Sequence, residues 1–565
     1  MAVGLGLAVA AVIVLPGWLA DRYLPKGADR YRDDIVAGLW CLKFALGFCG
    51  CLLLLFPFLY RLWGGTRETG SLLPVLRMEV SPLSRRDAVA AVLLVAFALA
   101  LRLVGSGQSL ISDEISIQQM FISRGIAVIV SYMPVMPQHV LYSLMAWFAQ
   151  RLPVPIEVAY RLPAILAGAF AVPLFYLLCR RVLGVLASSV AGLLCASSIY
   201  AIAHAQMAKS YTWTHLVVLG WSLLILELFR RPNRLPAWIG MGLCYVVLPF
   251  LHLYNMHLVL VLGVTHVALL AWLAATPGAF IANVRRLMVL GLFCGGLLFL
   301  LYAIQLPQIV KLAREAATQP EEHLSIDFFR GWLMQATFWG RAWPCALVCL
   351  ALAIVGGIAL AAREGRFFLL VLLPVVGVVL LVAVRDAFIY PRYMVYALPV
   401  FVLFLVEGAR FLGQRLAGGR GARIAVVGVG LLFLVPGTRV LLEYYRTGHQ
   451  DIRGACAVAA AQARAADAVV SYGLGREDFE FYLPGVKVLE SHTALQALVL
   501  KSTGRHDVYL LHSYPRIMKH RQDEWRYIEK HFEVIHESDG MLMDSAYRDG
   551  GVRVLRARKP ADGRR

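Results

Sequence analysis

Apolar runs of membrane length recur along most of this chain, and no other feature restricts its fold as tightly. They are Met1–Ala20, Ile35–Tyr60, Ala88–Gly105, Val158–Cys179, Val185–Ala203, Thr212–Phe229, Trp238–Leu251, Leu258–Ala275, Leu287–Leu306, Cys345–Ala362, Phe367–Val384, Met394–Leu412 and Ile424–Leu442. A helix crosses the hydrocarbon core in about 20 residues, so the series predicts roughly 13 transmembrane helices. Only 16% of residues are charged and 59% are hydrophobic, more apolar surface than a soluble globule could bury. The first run is apolar from its start, with no basic leader and no small-residue cleavage site, and reads as a retained anchor.

The charge follows the same pattern. From Asp451 onward 18 basic residues face 16 acidic ones, so all but two units of the formal +19 lie in the membrane part. They cluster between the runs: Arg77, Arg85 and Arg86; Arg180 and Arg181; Arg230, Arg231 and Arg234; Arg285 and Arg286; Arg363 and Arg366; Arg415, Arg420 and Arg423. Basic residues in every second loop mark the cytoplasmic side, which excludes a nucleic-acid footprint as their explanation. The opposite loops face outward: Gly107–Ile156, His204–Tyr211, His252–His257, Pro307–Pro344, Arg385–Arg392 and the tail after Glu443. Of the ten cysteines only Cys456 falls in the tail, so that segment can make no internal disulfide, and no metal-type Cys/His spacing occurs.

Two outward loops are long enough to carry structure. Gly107–Ile156 contains an expected interfacial helix at Gln138–Leu152, with Leu141, Trp147 and Phe148 on its apolar side. Pro307–Pro344 opens with an amphipathic helix, Gln308–Ala317, and continues with Phe328, Phe329, Trp332, Phe338, Trp339 and Trp343, which suit an interface or a lid. In the tail, short β-like runs (Ala468–Tyr472, Val486–Leu489, Asp507–Leu511, Phe532–His536, Gly551–Ala557) alternate with helical stretches at Gly454–Ala465 and Asp523–Phe532. Gly473-Leu474-Gly475 reads as a plain turn, and Lys559–Arg565 as a frayed end. The expected domains are 1–86, two extra helices and a cytoplasmic loop; 87–443, a transmembrane core; and 444–565, a small outer α/β domain.

Chemistry-bearing residues gather on the outward side. Asp113 and Glu114 stand just beyond the Ala88–Gly105 span; Lys209 and Tyr211 occupy one outward loop, His252, Tyr254 and His257 another, and Arg392 and Tyr393 a third. Carboxylates can take a proton from an attacking hydroxyl. Lysine and arginine can hold a phosphate and stabilise its growing charge as it leaves. A lipid-phosphate sugar is a substrate that needs both. The plain alternatives are a helix cap for Asp113 and Glu114, a snorkelling lysine for Lys209, a headgroup anchor for Arg392 and a loop brace for Arg102.

Leu101-Arg102-Leu103-Val104-Gly105 followed by Ser109–Glu114 resembles the first outer loop of GT-C superfamily glycosyltransferases. The nearest type is the bacterial branch of the protein-mannosyltransferase and aminoarabinose-transferase group. Tyr160–Ala164 with Val172–Tyr176, Gln206–Tyr211, Leu306-Pro307-Gln308, and Pro391-Arg392-Tyr393 with Ala397-Leu398-Pro399 resemble further family segments in the same order. The resemblance covers roughly Ala88–Leu412 and implies a mainly α polytopic GT-C fold with a small C-terminal periplasmic α/β domain. It implies a multi-pass protein of the bacterial inner membrane. The implied reaction is inverting transfer from a polyprenyl-phosphate sugar to an envelope acceptor (lipopolysaccharide or lipid A, a glycan, or a protein). Asp113 and Glu114 are the implied catalytic pair, and Arg102, Lys209, Tyr211, His252, Arg392 and Tyr393 the substrate-binding set. Membrane lipids are the remaining partners. No cofactor is implied as required, and a divalent metal is compatible.

The sequence departs from the family pattern at Met207, where a Glu is common, at Lys209, which replaces Arg, and at Pro137–Tyr142, where His-Pro-Pro-Leu-Tyr-Tyr is usual. Two other readings stand beside this one. A transporter or flippase of lipid-linked sugars would place charge at the bilayer midplane, whereas the acidic residues inside the runs, Glu227 and Glu407, lie near cytoplasmic ends. An inactive scaffold of the same fold is the second, kept open by the carboxylate missing at Met207.

Overall fold

The computed structural model describes residues 2–13, 32–64, 84–134, 138–273, 277–316, 324–337, 343–387, 389–502, 506–515, 522–540 and 551–558. The second half of the Met1–Ala20 run, Arg77, Pro137, Ala317, Phe338, Trp339 and the stretch Lys559–Arg565 lie outside them.

Among the described residues seven helices are long and apolar enough to cross a membrane, or eight if the bent pair Val185–Ser197 and Ile199–Ala205 is one span. Two of the seven are each a pair of spans joined at a break. Trp343–Arg385 leaves helical geometry at Glu364, and Leu398–Thr447 does so at Ala417 and Gly418. Both breaks fall in the basic stretches that the sequence places at the cytoplasmic surface. Arg85–Leu103, Leu235–Leu251 and Ala2–Ile13 coincide with the remaining apolar runs, and each of the thirteen runs is then helical over most of its described length.

Bilayer packing explains the details. Large apolar side chains such as Phe44 (68% exposed), Val92 (65%) and Leu93 (63%) point outward, as a hydrocarbon solvent permits. Pro163 and Pro173 sit inside Ile156–Cys179, which neighbouring helices make tolerable. The half-helix before Glu364 and the half-helix before Ala417 meet at Gly356 and Gly408. A Cβ on Gly408 would lie 2.1 Å from the Leu352 carbonyl oxygen, so the backbones touch directly. At the basic ends, Asp87 accepts from Arg180 Nε and Tyr176 Oη, each at 2.6 Å. Glu407 pairs with Arg410 at 2.6 Å and Arg363 at 3.3 Å.

The chain divides into two compact units. The first comprises 1–102, 121–152 and 160–437; the second comprises 103–120, 153–159 and 438–565. The acidic segment around Asp113 falls in the second unit.

The second unit is built on a five-stranded sheet of order β2-β1-β3-β5-β4. Its strands are β1 (Ala468–Tyr472), β2 (Lys487–Leu489), β3 (Val508–Ser513), β4 (Phe532–Ser538) and β5 (Val552–Ala557). β1 is parallel to β2 and β3, and β5 is antiparallel to β3 and β4. Val470, Tyr472, Leu510 and Leu555 pack with Trp525, Ile528 and Phe532 in its core. All five β-like runs of the tail are strands. The helices Ile452–Gln462 and Gln522–His531 fall where the helical stretches were expected.

Candidate active site

In the membrane unit, three loops build one polar cluster. The first follows the bent pair. Ser198 breaks the helix and caps the next one, its side chain accepting from Ala201 N. That second helix ends at Gln206, whose Nε2 donates to the Arg102 carbonyl at 2.9 Å. Lys209 N donates to Met207 O at 2.7 Å, a three-residue turn that packs the lysine inward at 3% exposure. Ser210 Oγ lies 2.6 Å from His139 Nδ1.

The second loop follows Leu235–Leu251. Asn255 Nδ2 donates to Leu248 O and to Thr214 Oγ1, both at 2.9 Å, and folds the chain back on itself. Tyr254 N donates to His252 Nδ1 at 3.0 Å, so the ring proton belongs on Nε2. That Nε2 is buried and finds no hydrogen-bond partner among the described residues.

The third is the 3₁₀ turn Pro391–Ala397, held by Tyr200 Oη on Pro391 O and by Trp332 Nε1 on Met394 O. Its Arg392 guanidinium lies 4.5 Å from the Tyr390 ring centre and 5.8 Å from that of Tyr393. The Tyr393 ring in turn lies 4.6 Å from Tyr254, 5.2 Å from His252 and 6.1 Å from Tyr211.

Tyr211, Thr214, His252, Tyr254, Asn255, Arg392 and Tyr393 line a small pocket of about 10 Å³, room for about one water molecule. Burial, then the nearby Lys209 and Arg392 charges, push the His252 imidazole down to about 3. Burial, His252 and the same two cations hold His139 well below its ordinary value. Both rings are thus held neutral, and the Lys209 and Arg392 charges bear on the same buried imidazoles. An acceptor entering beside them would meet the His252 Nε2 donor.

Lys209, Tyr211, His252, Arg392 and Tyr393 are therefore brought together as the sequence suggests. Arg102 has a different setting. It is 1% exposed, and its Nη1 donates to Ala98 O at 3.1 Å and Ala196 O at 3.0 Å, tying two helices. His139, Thr214 and Asn255 join the cluster without having been singled out. His139 is legible only as the histidine inside the divergent Pro137–Tyr142 stretch. Thr214 and Asn255 act through packing of distant helices and leave no local signal.

In the second unit the acidic turn is held at nearly every residue. Gln108 Nε2 donates to Tyr445 O at 2.9 Å, Arg453 N to Ser109 Oγ at 3.1 Å, and Leu110 N to Tyr482 Oη at 2.8 Å. Ser112 N donates to Gln450 Oε1 at 3.1 Å. Arg453 also binds Glu157 Oε1 at 2.8 Å and Gly107 O at 3.0 Å. The short helix Ser112–Ile117 begins with a capping arrangement, Ile111 N donating to Glu114 Oε2 at 3.0 Å. Glu114 is 2% exposed, whereas Asp113 next to it is open to solvent. The helix runs directly into a π-turn, Gln118–Ile122, a geometry frequent at functional sites. Among the described residues no group of three or more His, Cys, Asp or Glu side chains is arranged to hold a metal ion.

No family model and no curated protein matches the chain. Solved structures do. The apo structure of ArnT from Cupriavidus metallidurans aligns at 13% identity with a TM-score of 0.51, over 82% of this chain and 97% of ArnT. The same protein bound to undecaprenyl phosphate aligns at 14% identity and a TM-score of 0.51, over 85% of this chain and all of that one (100%). At such identity the likeness is one of fold: the chain has the GT-C fold, arranged as in ArnT.

Proposed function

We propose that this protein is a membrane glycosyltransferase that moves a sugar from a polyprenyl-phosphate carrier to a hydroxyl of an envelope lipid or glycan on the periplasmic side of the bacterial inner membrane. The observation that carries the reading is the cluster of the membrane unit, where the Lys209 and Arg392 charges bear on neutral His139 and His252 beside a pocket lined by Arg392 and His252. Those groups suit a phosphate: cationic side chains, a buried N–H donor at His252 Nε2, and aromatic walls from Tyr211, Tyr254 and Tyr393. A lipid-phosphate ligand, as in the undecaprenyl-phosphate complex of ArnT, accounts for placing such a site in a membrane protein.

Asp113 is the base. Its carboxylate takes the acceptor's hydroxyl proton as that oxygen attacks the anomeric carbon. The bond from the anomeric carbon to the phosphate oxygen breaks, and the electron pair leaves on the lipid phosphate, whose charge Lys209 and Arg392 balance. Attack from the face opposite the leaving group inverts the anomeric centre. Glu114 serves by capping the turn that presents Asp113, and Arg102 by tying the helix that leads into it. The reaction as drawn uses no metal.

The test is Asp113→Asn in full-length protein reconstituted in vesicles, assayed with polyprenyl phosphates carrying glucose, mannose, galactose or aminoarabinose. The expected result is loss of transfer by about 10²–10⁴, the usual weight of a general base, with undecaprenyl phosphate still bound. Normal turnover by Asp113→Asn sinks the assignment. A chelator added to the wild type is expected to leave the rate unchanged.

A further inference from the structure

In open α/β sheets, ligands settle outside the carboxyl ends of the strands where the strand order reverses. Here the chain passes from β1 to β2 on one side and then crosses back to β3 on the other, so the reversal lies between β1 and β3. Their carboxyl ends are Tyr472 and Ser513. The residues just beyond these ends are Gly473, Leu474, Gly475 and Asp478 after β1, and Tyr514 after β3.

At this point the unit holds a piece of its own chain. The Asp478 carboxyl accepts a hydrogen bond from the Ser112 side chain, while Tyr514 bonds the side chains of Ser112 and Gln450. Gln450 also receives Ser112 N. Two further features mark the place as built. Tyr514 is one of two non-glycine residues with positive φ among those described, at +56°, a conformation that costs an L-residue free energy and persists where the surroundings enforce it. Gly475, at φ +66°, has no room for a side chain: a Cβ would lie 2.6 Å from Asp478 Oδ2, 3.5 Å from the Tyr514 ring and 3.6 Å from Ser112 Oγ. The Gly473-Leu474-Gly475 turn thus seats the Asp478 carboxyl.

We propose that Asp478 and Tyr514 are positioning residues for Asp113, so that the sheet's ligand crevice holds the acidic turn and sets where the base stands. The proposal rests on the reading of Asp113 as base. Asp478 is 3% exposed, its Oδ2 has no partner among the described residues, and burial raises it to about 7; the Ser112 bond opposes that rise, and the Asp113 and Glu477 charges add to it. Ser112, Asp113, Glu477 and Tyr514 are the groups that bear on it. Ionising Asp478 puts a second negative charge beside Asp113, so the turn loosens as pH rises through neutrality.

The experiment uses full-length protein in lipid nanodiscs. Amide hydrogen exchange of the 109–118 peptide is followed at pH 6 and 8, corrected for intrinsic rates. Turnover with the four polyprenyl-phosphate sugars is followed over the same range. In the wild type, exchange of this peptide is expected to quicken severalfold from pH 6 to pH 8, and kcat to bend near pH 7. Asp478→Asn should flatten both, with the donor KM within about twofold. Tyr514→Phe, which removes only the hydroxyl, should raise exchange at both pH values and lower kcat about tenfold. Wild-type exchange and an unchanged kcat bend in both variants overturn the proposal. If Asp113→Asn turns over normally while the exchange changes appear, the base assignment has failed and the clamp stands. If Asp113→Asn is inactive and the exchange is unmoved, the clamp has failed and the base stands.

Discussion

The two polar clusters of this molecule solve opposite problems. In the membrane unit, Lys209, Arg392, His139 and His252 lie among aromatic rings, and burial and the Lys209 and Arg392 charges keep the imidazoles uncharged. In the second unit, Asp113 is open to solvent, and what is buried is the scaffold beneath it: Glu114, Ser109 and Asp478. On the proposed function, the first cluster receives a charge that arrives from outside and the second holds one still. Desolvation would then strengthen the first, since an anion gains most where water is excluded. Hydrogen bonding would make the second accurate, since a base must stand within bonding distance of the proton it takes.

The sharpest way to break this contrast is to remove the cations. Arg392→Ala and Lys209→Ala should each weaken undecaprenyl phosphate binding by about 10- to 100-fold, the worth of one hydrogen bond to a charged group, as read by titration in nanodiscs. Arg392→Lys should recover only part of the loss, because the guanidinium fork and its stacking on Tyr390 go with the arginine. Because His252 is held neutral, at about 3, binding of a polyprenyl-phosphate sugar, a phosphodiester that does not itself titrate in this range, should show no inflection between pH 5 and 8. With that diester probe, an inflection near 6.5 that is lost in His252→Gln would mean the ring is protonated in the site, and the assignment of His252 as a neutral donor would fall.

Much of this was readable beforehand, for physical reasons that differ by region. Spans are readable because the bilayer demands a continuous apolar length and sorts arginines to one side, so even the breaks at Glu364 and Gly418 appear as basic interruptions. The cationic loops are readable because a lysine or arginine away from the basic clusters has few reasons to stand at the end of an apolar run. The seat of Asp113 was not readable. Asp478 and Tyr514 lie more than 360 residues from Ser112, no periodicity links them, and a Gly-Leu-Gly turn looks the same whether it seats a carboxyl or merely reverses the chain. The helix cap at Glu114 is a different case: it was among the plain alternatives, and only the geometry separates its role from that of its neighbour.

The second cluster has its own pH signature. Asp478 rises from 3.8 to about 7 in the fold, so the native state binds its proton more tightly than the unfolded chain. The stabilisation is complete below about pH 4 and is lost as pH rises through about 7, a span on the order of 4 kcal/mol. Melting of the full-length protein in detergent should therefore fall over that interval, and Asp478→Asn should reduce the slope. An unchanged slope in the variant would mean the carboxyl is not buried as a neutral acid.

The smallest effect tests the division of labour within the acidic pair. Glu114 and Asp113 are neighbours of similar chemistry, and the contrast between the clusters assigns them unlike tasks. Glu114→Gln keeps an oxygen that can accept from Ile111 N, so the cap survives at a cost of about 1 kcal/mol. Transfer should stay within about threefold of the wild type. Glu114→Ala removes the acceptor, leaves the Ile111 amide unsatisfied in a buried turn, and should cost about 1–3 kcal/mol together with a drop in kcat at unchanged donor affinity. A base behaves otherwise: its amide isostere is as inactive as its alanine variant. If Glu114→Gln proves as inactive as Asp113→Asn, the two carboxylates act as one unit, and the cap is secondary to the chemistry.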